Sequence, residues 1–332
     1  MEQDLVHVDD KGLYCPMGDF HIDPWRPVPT AVITHAHSDH ARAVAKRYLS
    51  SASSKPFIQH RLGREISIEG IPYGQRVRLG ETDVSFHPAG HIGGSSQIRI
   101  EHRGTVWVVS GDYKRTPDPS CEPFEVVPCD VFISEATFAL PIYNWESGEE
   151  TARKIFDWWQ GDQERPSLLF CYALGKSQRV LAELTKLTDR PVYLHGAVQS
   201  LTEIYRAQGV KMVPTRPVSE MEKGYDFKGD LIIAPPSGHR SPWMKRFKDP
   251  QTAFASGWMQ IRGNRRRKGY ERGFVLSDHA DWNELNQTIR ETGCKTVFLT
   301  HGRTDVLAKF LREQGQEVRL FKTEFHGEEE ST

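Results

Sequence analysis

The chain has 332 residues, a formal net charge of −1, 38% hydrophobic residues and 26% charged residues. This composition is ordinary for a globular protein, and the length favours a large domain plus a second unit. It contains no apolar run near the roughly 20 residues of a membrane span. The acidic segment 1–10 is unlike a signal peptide, so we expect a cytoplasmic location. The five cysteines include no CxxC pair, which argues against a disulfide framework or a thiolate zinc site.

Hydrophobic patterning predicts a strand-rich first part, followed from about Thr151 by alternating strands and helices. Such alternation is typical of parallel strands connected by helices. The predicted strands are 31–34, 77–79, 84–86, 97–101, 105–110, 131–134, 167–173, 191–194, 230–234, 274–276, 296–299 and 317–321. The predicted helices are 177–187, 197–208, 282–291 and 304–314.

A dense group of candidate metal ligands follows the first predicted strand. The segment 35–40 reads HAHSDH, so His35, His37, Asp39 and His40 place four candidate ligands within six residues. In an extended segment, alternate side chains project to the same side, and imidazole with carboxylate suits zinc, manganese or iron. The spacing therefore predicts a metal site, although a lone HxH would also fit a surface histidine cluster.

Two later strand ends supply further candidates. His91 lies in the glycine-rich stretch GHIGG, and Asp112 follows the apolar run at 105–110. Glycines let the backbone approach a metal closely, and a strand-end carboxylate can bridge two cations. Taken singly, His91 fits a structural loop and Asp112 fits a turn or helix cap. Their positions after the HAHSDH motif favour metal ligands.

The order of HxHxDH at 35–40, Gly90-His91 and Gly111-Asp112 resembles the signatures of the metallo-β-lactamase fold. This resemblance implies an α/β fold, the αββα sandwich, that binds two divalent metal ions. Zinc is the first choice, with manganese or iron as alternatives. It also implies that Asp23 orients the metal-binding loop, although Asp23 before Pro24 fits a plain turn as well.

Later features resemble the β-CASP branch of this fold, whose members are nucleases. Glu135 follows a strand, His279 stands in SDHAD, and His301 follows 22 residues later. The segment 175–179, GKSQR, also resembles a signature of the branch. The resemblance covers essentially the whole chain. The segments implied are 1–145 and 273–332 for the metallo-β-lactamase domain and 146–272 for an inserted β-CASP α/β domain.

Motif and resemblance together imply a role for each site residue. Two cations would grip the scissile phosphate and lower the pKa of water. Histidine titrates near neutral pH, so His279 is the expected general acid, oriented by Glu135. Alternatively, His279 pairs with a neighbouring aspartate and Glu135 caps a turn. The implied ligands are His35, His37 and His91 for the first metal, Asp39 (also counted as catalytic), His40 and His301 for the second, and a bridging Asp112.

Within the branch, the chain is most similar to the bacterial ligase-associated DNA exonucleases. The segments 22–27, 256–259 and 273–279 carry this similarity. It implies a metal-dependent DNA exonuclease in DNA repair, with a functional association with a DNA ligase and a helicase. A histidine at the position of His301 is typical of RNA-processing members, such as mRNA 3′-end processing factors. An RNA-processing endonuclease or exonuclease is therefore the alternative.

Two groups of residues are predicted to contact nucleic acid, because cations neutralise phosphates whatever the sequence. Either group also fits a solvated surface. Two other functions stay open: a small-molecule ester or thioester hydrolase, which needs no basic run, and a non-catalytic nucleic-acid binder. The predicted contacts are Arg262, Arg265, Arg266, Arg267 and Lys268 in a basic run, and Lys176, Gln178 and Arg179 at a helix start.

Overall fold

The structure is a computed structural model that describes residues 4–261 and 269–325. These residues form two compact units. The first comprises 4–116, 121–144 and 279–325, and the second comprises 117–120 and 145–278. No helix within the described ranges is long and apolar enough to cross a membrane. The part of the chain outside the described residues includes the predicted basic run, namely Arg262, Arg265, Arg266, Arg267 and Lys268.

The first unit contains two sheets that face each other across an apolar core. Ile22, Val32 and Leu49 project into this core from one sheet, and Phe86 and Ile98 project from the other. Facing sheets of this kind bury the alternate side chains of each strand. The strands of the first sheet, adjacent in this order, are β1 (His7–Val8), β2 (Leu13–Cys15), β3 (Phe20–Ile22), β4 (Val28–Val32), β5 (Ala45–Ser51) and β6 (Ile68–Ile71).

The second sheet places three carboxyl strand ends side by side. Its strands are β7 (Val77–Leu79), β8 (Thr82–Pro88), β9 (Ser96–His102), β10 (Thr105–Val109), β11 (Val131–Ala136), β18 (Thr296–Gly302) and β19 (Glu317–Leu320). In space they follow the order β19-β18-β11-β10-β9-β8-β7. The neighbours β10, β11 and β18 run parallel. Parallel neighbours end at the same edge of a sheet, so side chains at the ends of these three strands lie close together.

Helices complete the first unit. The described helices of the chain are α1 (Lys55–Leu62), α2 (Gly148–Gln160), α3 (Lys176–Glu183), α4 (Gly196–Ala207), α5 (Trp282–Thr292) and α6 (Thr304–Glu313). Leu285 of α5 and Leu307 and Leu311 of α6 pack with Val108 and Phe132 in a second apolar cluster, on the other face of the second sheet. The arrangement is α/β, as predicted, and is consistent with the metallo-β-lactamase sandwich.

The second unit is built on a parallel sheet. Its strands are β12 (Ser167–Phe170), β13 (Val192–Leu194), β14 (Thr215–Pro217), β15 (Leu231–Ala234), β16 (Gln251–Ala255) and β17 (Arg272–Phe274), in the order β14-β13-β15-β12-β16-β17. All pairings are parallel. Trp159 of α2, Val180 of α3 and Val198 of α4 pack in one apolar cluster with the sheet. The predicted alternation of strands and helices is therefore confirmed.

Several predicted boundaries were wrong. The strand predicted at 274–276 is β17, at 272–274, and it pairs with β16 of the second unit. His279 is the first residue of the last segment of the first unit. β5 reads AKRYLSS and was not predicted, because its first residues are polar and give no strand pattern. In the structure it pairs on both sides, with β4 and β6. The elements β1, β2, β3, β6, β14, β16, α1 and α2 were also absent from the prediction.

Candidate metal centre

The HAHSDH segment begins two residues beyond β4, after Ile33 and Thr34, and one carboxylate bonds to Thr34 and to His40. Asp23 is buried, and its Oδ1 accepts a hydrogen bond of 2.8 Å from the Thr34 amide. Its Oδ2 lies 2.7 Å from His40 Nδ1. Asp23 therefore contacts the residue before the segment and the last residue of the segment, and its orienting role stays a prediction.

Three other predicted site residues, the ligands Asp112 and His301 and the orienting residue Glu135, lie at strand ends of the second sheet. Asp112 follows β10, Glu135 is the fifth residue of β11, and His301 lies near the end of β18. Gly111 has φ +57°, and a Cβ there would lie 2.7 Å from Thr34 Cβ. Only glycine therefore allows the strand end that carries Asp112 to approach the HAHSDH segment so closely.

Asp112 lies at the centre of the histidines. Its Oδ2 is 3.5 Å from His35 Nε2, 3.5 Å from His40 Nε2 and 3.8 Å from His91 Nε2. Its Oδ1 is 3.2 Å from His301 Nε2. One carboxylate thus presents its two oxygens to different sets of imidazoles, as a bridging ligand must.

Three groups of described residues could hold a metal, and all three contain Asp112. Two of them, the ligand groups, consist of residues predicted as ligands, and the third, with Glu135 and His279, is described below. Within each group the ligand atoms lie within 4.8 Å of one another. Neither group includes Asp39, which was predicted as a ligand, but Asp39 Oδ2 lies 3.6 Å from His40 Nε2. The first group is His35, His37, His91 and Asp112, and the second is His40, Asp112 and His301.

Hydrogen bonds determine which ring nitrogen faces the centre. Thr34 Oγ1 donates its one proton to Asp23 Oδ2 (2.5 Å), so it accepts from His35 Nδ1 at 3.0 Å. His40 Nδ1 donates to Asp23. Once Nδ1 carries the proton of a neutral imidazole, Nε2 has the lone pair that a metal needs. His35 and His40 are therefore prepared to bind through Nε2.

His301 repeats this arrangement at the end of β18. Thr300 Oγ1 donates to the Ser134 carbonyl at 3.3 Å and accepts from His301 Nδ1 at 3.0 Å. Sequence reasoning missed both threonines, although Thr-His at two strand ends was a visible signal. In each case the hydroxyl fixes the ring that the metal would use.

The residues present fit a metal. Within the described ranges, the buried atoms that form no hydrogen bond include Nε2 of His35, His40 and His301, and Oδ1 of Asp112. Unsatisfied buried polar atoms are rare in native proteins. Four of them converge here, and all belong to the predicted ligand set. Imidazole nitrogen and carboxylate oxygen are the donors that zinc, manganese and iron accept.

The electrostatics of the site also favour a cation. Burial lowers the pKa of His35 well below its usual value, which keeps this ligand neutral. Burial alone would also lower the pKa of His40, but the carboxylates of Asp112, Asp39 and Asp23 raise it to about 10. Burial would raise the pKa of Asp112, but the neighbouring imidazoles, His40 foremost, hold it well below its usual range. The carboxylates therefore create a negative potential that a bound cation would neutralise.

Glu135 and His279 lie beside this centre. His279 Nδ1 is 2.9 Å from Glu135 Oε2, and both side chains are buried. Glu135 Oε1 also accepts a hydrogen bond of 2.8 Å from the Tyr113 amide, which fixes the carboxylate. Donor atoms of Asp112, Glu135 and His279 lie within 4.8 Å of one another. The structure therefore brings Glu135 and His279 together with Asp112, and their catalytic roles stay a prediction.

The predicted phosphate contacts at the start of α3 were wrong. Lys176, Gln178 and Arg179 are buried rather than exposed. Lys176 Nζ lies 3.2 Å from Asp278 Oδ2, and Arg179 donates to the Ser277 carbonyl at 2.6 Å. Gln178 bonds the Ala173 carbonyl and Thr202 Oγ1. A buried charge requires a partner, and these side chains find theirs within the second unit. Because they are buried, they are not accessible to a nucleic acid in solution.

We expect the substitution Lys176→Met to destabilise the protein strongly. It leaves the buried Asp278 carboxylate without its ammonium partner, and breaking a buried pair in this way costs about 3–5 kcal/mol. Chemical denaturation would measure the free energy of unfolding. The control Lys228→Met removes the exposed pair with Glu164 in the same unit, for which we expect about 1 kcal/mol or less. Equal losses in the two variants would contradict the structural role of Lys176.

Comparison with known proteins finds relatives of two kinds. The chain is 32% identical over 92% of its length to a protein named probable DNA ligase from Opitutus terrae. It is 27% identical over 59% of its length to "RNase aCSPSF2" from Saccharolobus solfataricus. It is 25% identical over 53% of its length to "Ribonuclease TTHA0252" from Thermus thermophilus. The matches span only 30%, 45% and 48% of these relatives, respectively.

Solved structures support the fold alone. A crystal structure of a protein of unknown function from Enterococcus faecalis superimposes with a TM-score of 0.64 and 13% identity, over 88% of this chain and 79% of that one. No protein-family model matches the chain. The chain therefore shares its fold with the Enterococcus faecalis protein, and its sequence resembles proteins named as a DNA ligase and as ribonucleases.

Proposed function

We propose that this protein is a metal-dependent nuclease that hydrolyses phosphodiester bonds, with DNA as its first-choice substrate. One observation carries the proposal: the unsatisfied Nε2 atoms of His35, His40 and His301 converge on Asp112. The buried Glu135–His279 pair lies beside them. Ligands for two cations next to a candidate proton donor suit hydrolysis of a phosphodiester.

The protein residues would share the work as follows. The two ligand groups would hold two divalent ions, zinc first and manganese or iron as alternatives, with Asp39 close enough to join the second. Such ions supply Lewis acidity and a lowered pKa of water. Because Glu135 engages His279 Nδ1, Nε2 is the ring atom from which a proton would pass to the leaving oxygen. Glu135 orients the ring and stabilises its charged form.

The relatives support a nucleic-acid substrate. All three carry names that refer to DNA or RNA enzymes. We assign the second unit, 145–278, to the inserted β-CASP domain, because it interrupts the first unit in sequence and has a parallel α/β sheet of its own. Its stretch 231–248 contains no acidic residue and carries exposed cations at Arg240, Lys245 and Lys248. Such cations suit a phosphate backbone.

Different observations support DNA and RNA as the substrate. The relative matched over 92% of this chain is named a probable DNA ligase, which supports a DNA exonuclease with a functional link to a ligase in repair. The association with a helicase stays a prediction. His301 and the two ribonuclease-named relatives favour the alternative, an RNA-processing nuclease.

A matched substrate assay tests the proposal. The purified protein and its Asp39→Ala variant would receive single-stranded DNA and RNA of one sequence, labelled at either end, with zinc or manganese. We expect stepwise shortening of DNA by the wild type, and little by the variant, since Asp39 lies at the second ligand group. The end label released first gives the polarity.

The other outcomes each change the assignment. Preference for RNA would replace the first proposal by the second. Internal cuts would replace an exonuclease by an endonuclease. No cleavage of either polymer, with metal bound, would exclude a nuclease: tight polymer binding would then indicate a non-catalytic binder, and hydrolysis of small esters or thioesters would indicate a small-molecule hydrolase.

A further inference from the structure

An aromatic ring covers one side of the candidate metal centre. The buried side chain of Phe325 stacks on His40, with ring centroids 4.5 Å apart and an angle of 9° between the planes. Its ring also meets His301 edge-on at 5.5 Å. Trp25 contacts the ring of Phe325 at 5.7 Å and 80°. Phe325 therefore touches two members of one ligand group.

The segment 321–325 that carries this ring is held by a few bonds. The Phe321 amide donates to the Leu299 carbonyl at 2.9 Å. Arg42 donates to the Glu324 carbonyl at 3.3 Å, and Arg26 pairs with the Glu324 carboxylate at 3.2 Å. The segment has no helical or strand structure. These contacts hold its backbone near the HAHSDH segment, so that Phe325 reaches the imidazoles.

The ring of Phe325 contacts the second ligand group, which consists of His40, Asp112 and His301. In the first group, the ring of His35 lies against other imidazoles, 4.9 Å from His37, 4.8 Å from His91 and 4.1 Å from His40. A ring stacked face to face on His40 prevents that imidazole from tilting away from Asp112. It also keeps water from that face, and a dry apolar shell strengthens metal–ligand attraction.

We propose that Phe325 is a positioning residue that sets the occupancy of the second metal position. Phe325 cannot itself bind a metal, so it acts through His40 and His301. The inference rests on the proposed function in one respect, that metal ions bind this centre. It adds that the metal affinity of the second position depends on the segment 321–325 more strongly than that of the first position does.

Metal stoichiometry tests this inference without any activity measurement. Wild type and Phe325→Ala would be dialysed at a series of free zinc and manganese concentrations, and bound metal would be counted by mass spectrometry. We expect two ions in the wild type. In the variant we expect one ion to bind unchanged and the second to bind at least about 10-fold more weakly, the size of effect typical of residues that orient a ligand.

A control from the same segment separates a local effect from a general one. Phe321 stacks on Phe298 at 4.2 Å, so Phe321→Ala removes a similar ring away from the ligands and should leave both affinities unchanged. Phe325→Leu keeps apolar bulk but loses the flat ring. It should weaken only the second ion, and it supplies the measurement if Phe325→Ala does not fold.

Three results would overturn the inference: unchanged second-ion affinity in both Phe325 variants, equal weakening of both ions, or the same loss in Phe321→Ala. Its failure is distinguishable from that of the proposed function. A wild type that binds two ions but cuts no nucleic acid removes the nuclease assignment and leaves this inference standing. A wild type that binds no metal removes both.

Discussion

Asp112→Ala is expected to abolish metal-dependent cleavage and to lower the metal content of the protein. Asp112 belongs to both ligand groups, and its two oxygens face different imidazoles. A metal clamp supplies several kcal/mol of transition-state stabilisation, and 1.36 kcal/mol corresponds to a tenfold change in rate, so we expect a loss of about 10³-fold or more. Bound metal and the initial rate of cleavage would be measured on the same preparation.

The matched control for Asp112→Ala is Asp305→Ala, which removes an exposed aspartate of the same unit. It should retain full metal content and rate. Thermal melting of both variants would show that the fold persists. Retention of two tightly bound ions by Asp112→Ala would refute the bridging role, whatever the activity.

His279→Ala should slow cleavage by about 10²- to 10⁴-fold, the usual contribution of a positioned general acid. In contrast to Asp112→Ala, it should leave the bound metal unchanged, because His279 belongs to neither metal group that we assign. Glu135→Gln should give a smaller loss than His279→Ala, because it keeps the shape of the side chain but removes the charge that stabilises His279. Steady-state rates at saturating substrate, together with metal counts, check both variants.

His87 provides the control for this pair. Its Nδ1 lies 3.0 Å from Glu125 Oε1, so the first unit contains another histidine–glutamate pair. His87→Ala removes a histidine–glutamate contact of similar length but greater exposure, and it should not change the rate. A His279→Ala variant with wild-type rate, or one that loses its metals, would exclude the general-acid role.

The sequence by itself predicted the candidate ligands. HxHxDH, GHIGG and SGD each follow an apolar run. The ends of β10 and β18, which carry Asp112 and His301, reach one edge because these strands run parallel within one sheet. HxHxDH follows β4 of the other sheet, and GHIGG follows β8, which pairs antiparallel with β9. The structure brings His35, His40, His91 and His301 around Asp112, as the motifs predicted. Hydrophobic periodicity also predicted the α/β class and the strand–helix alternation of the second unit, because this periodicity depends only on residues close together in the sequence.

The sequence did not predict that the charged side chains at the start of α3 are buried. A lysine and an arginine at a helix start predict phosphate contacts when the helix is considered alone. Lys176 and Arg179 instead pair with carboxylates far away in sequence, Asp278 and Asp118. Local composition contains no information on such distant partners, so only the tertiary structure could correct this prediction.

The tertiary structure also decided how the ligands are held. Asp23 precedes His40 by 17 residues and Phe325 follows it by 285, yet both contact its ring. The sequence predicted an orienting role for Asp23 by resemblance, whereas Phe325 stood in no motif and was missed. Motifs encode the atoms that bind a metal, because that chemistry needs particular residue types. The packing that orients those atoms depends on how the chain folds. Many apolar residue types can fill the same contact, so such a contact produces no recognisable sequence motif.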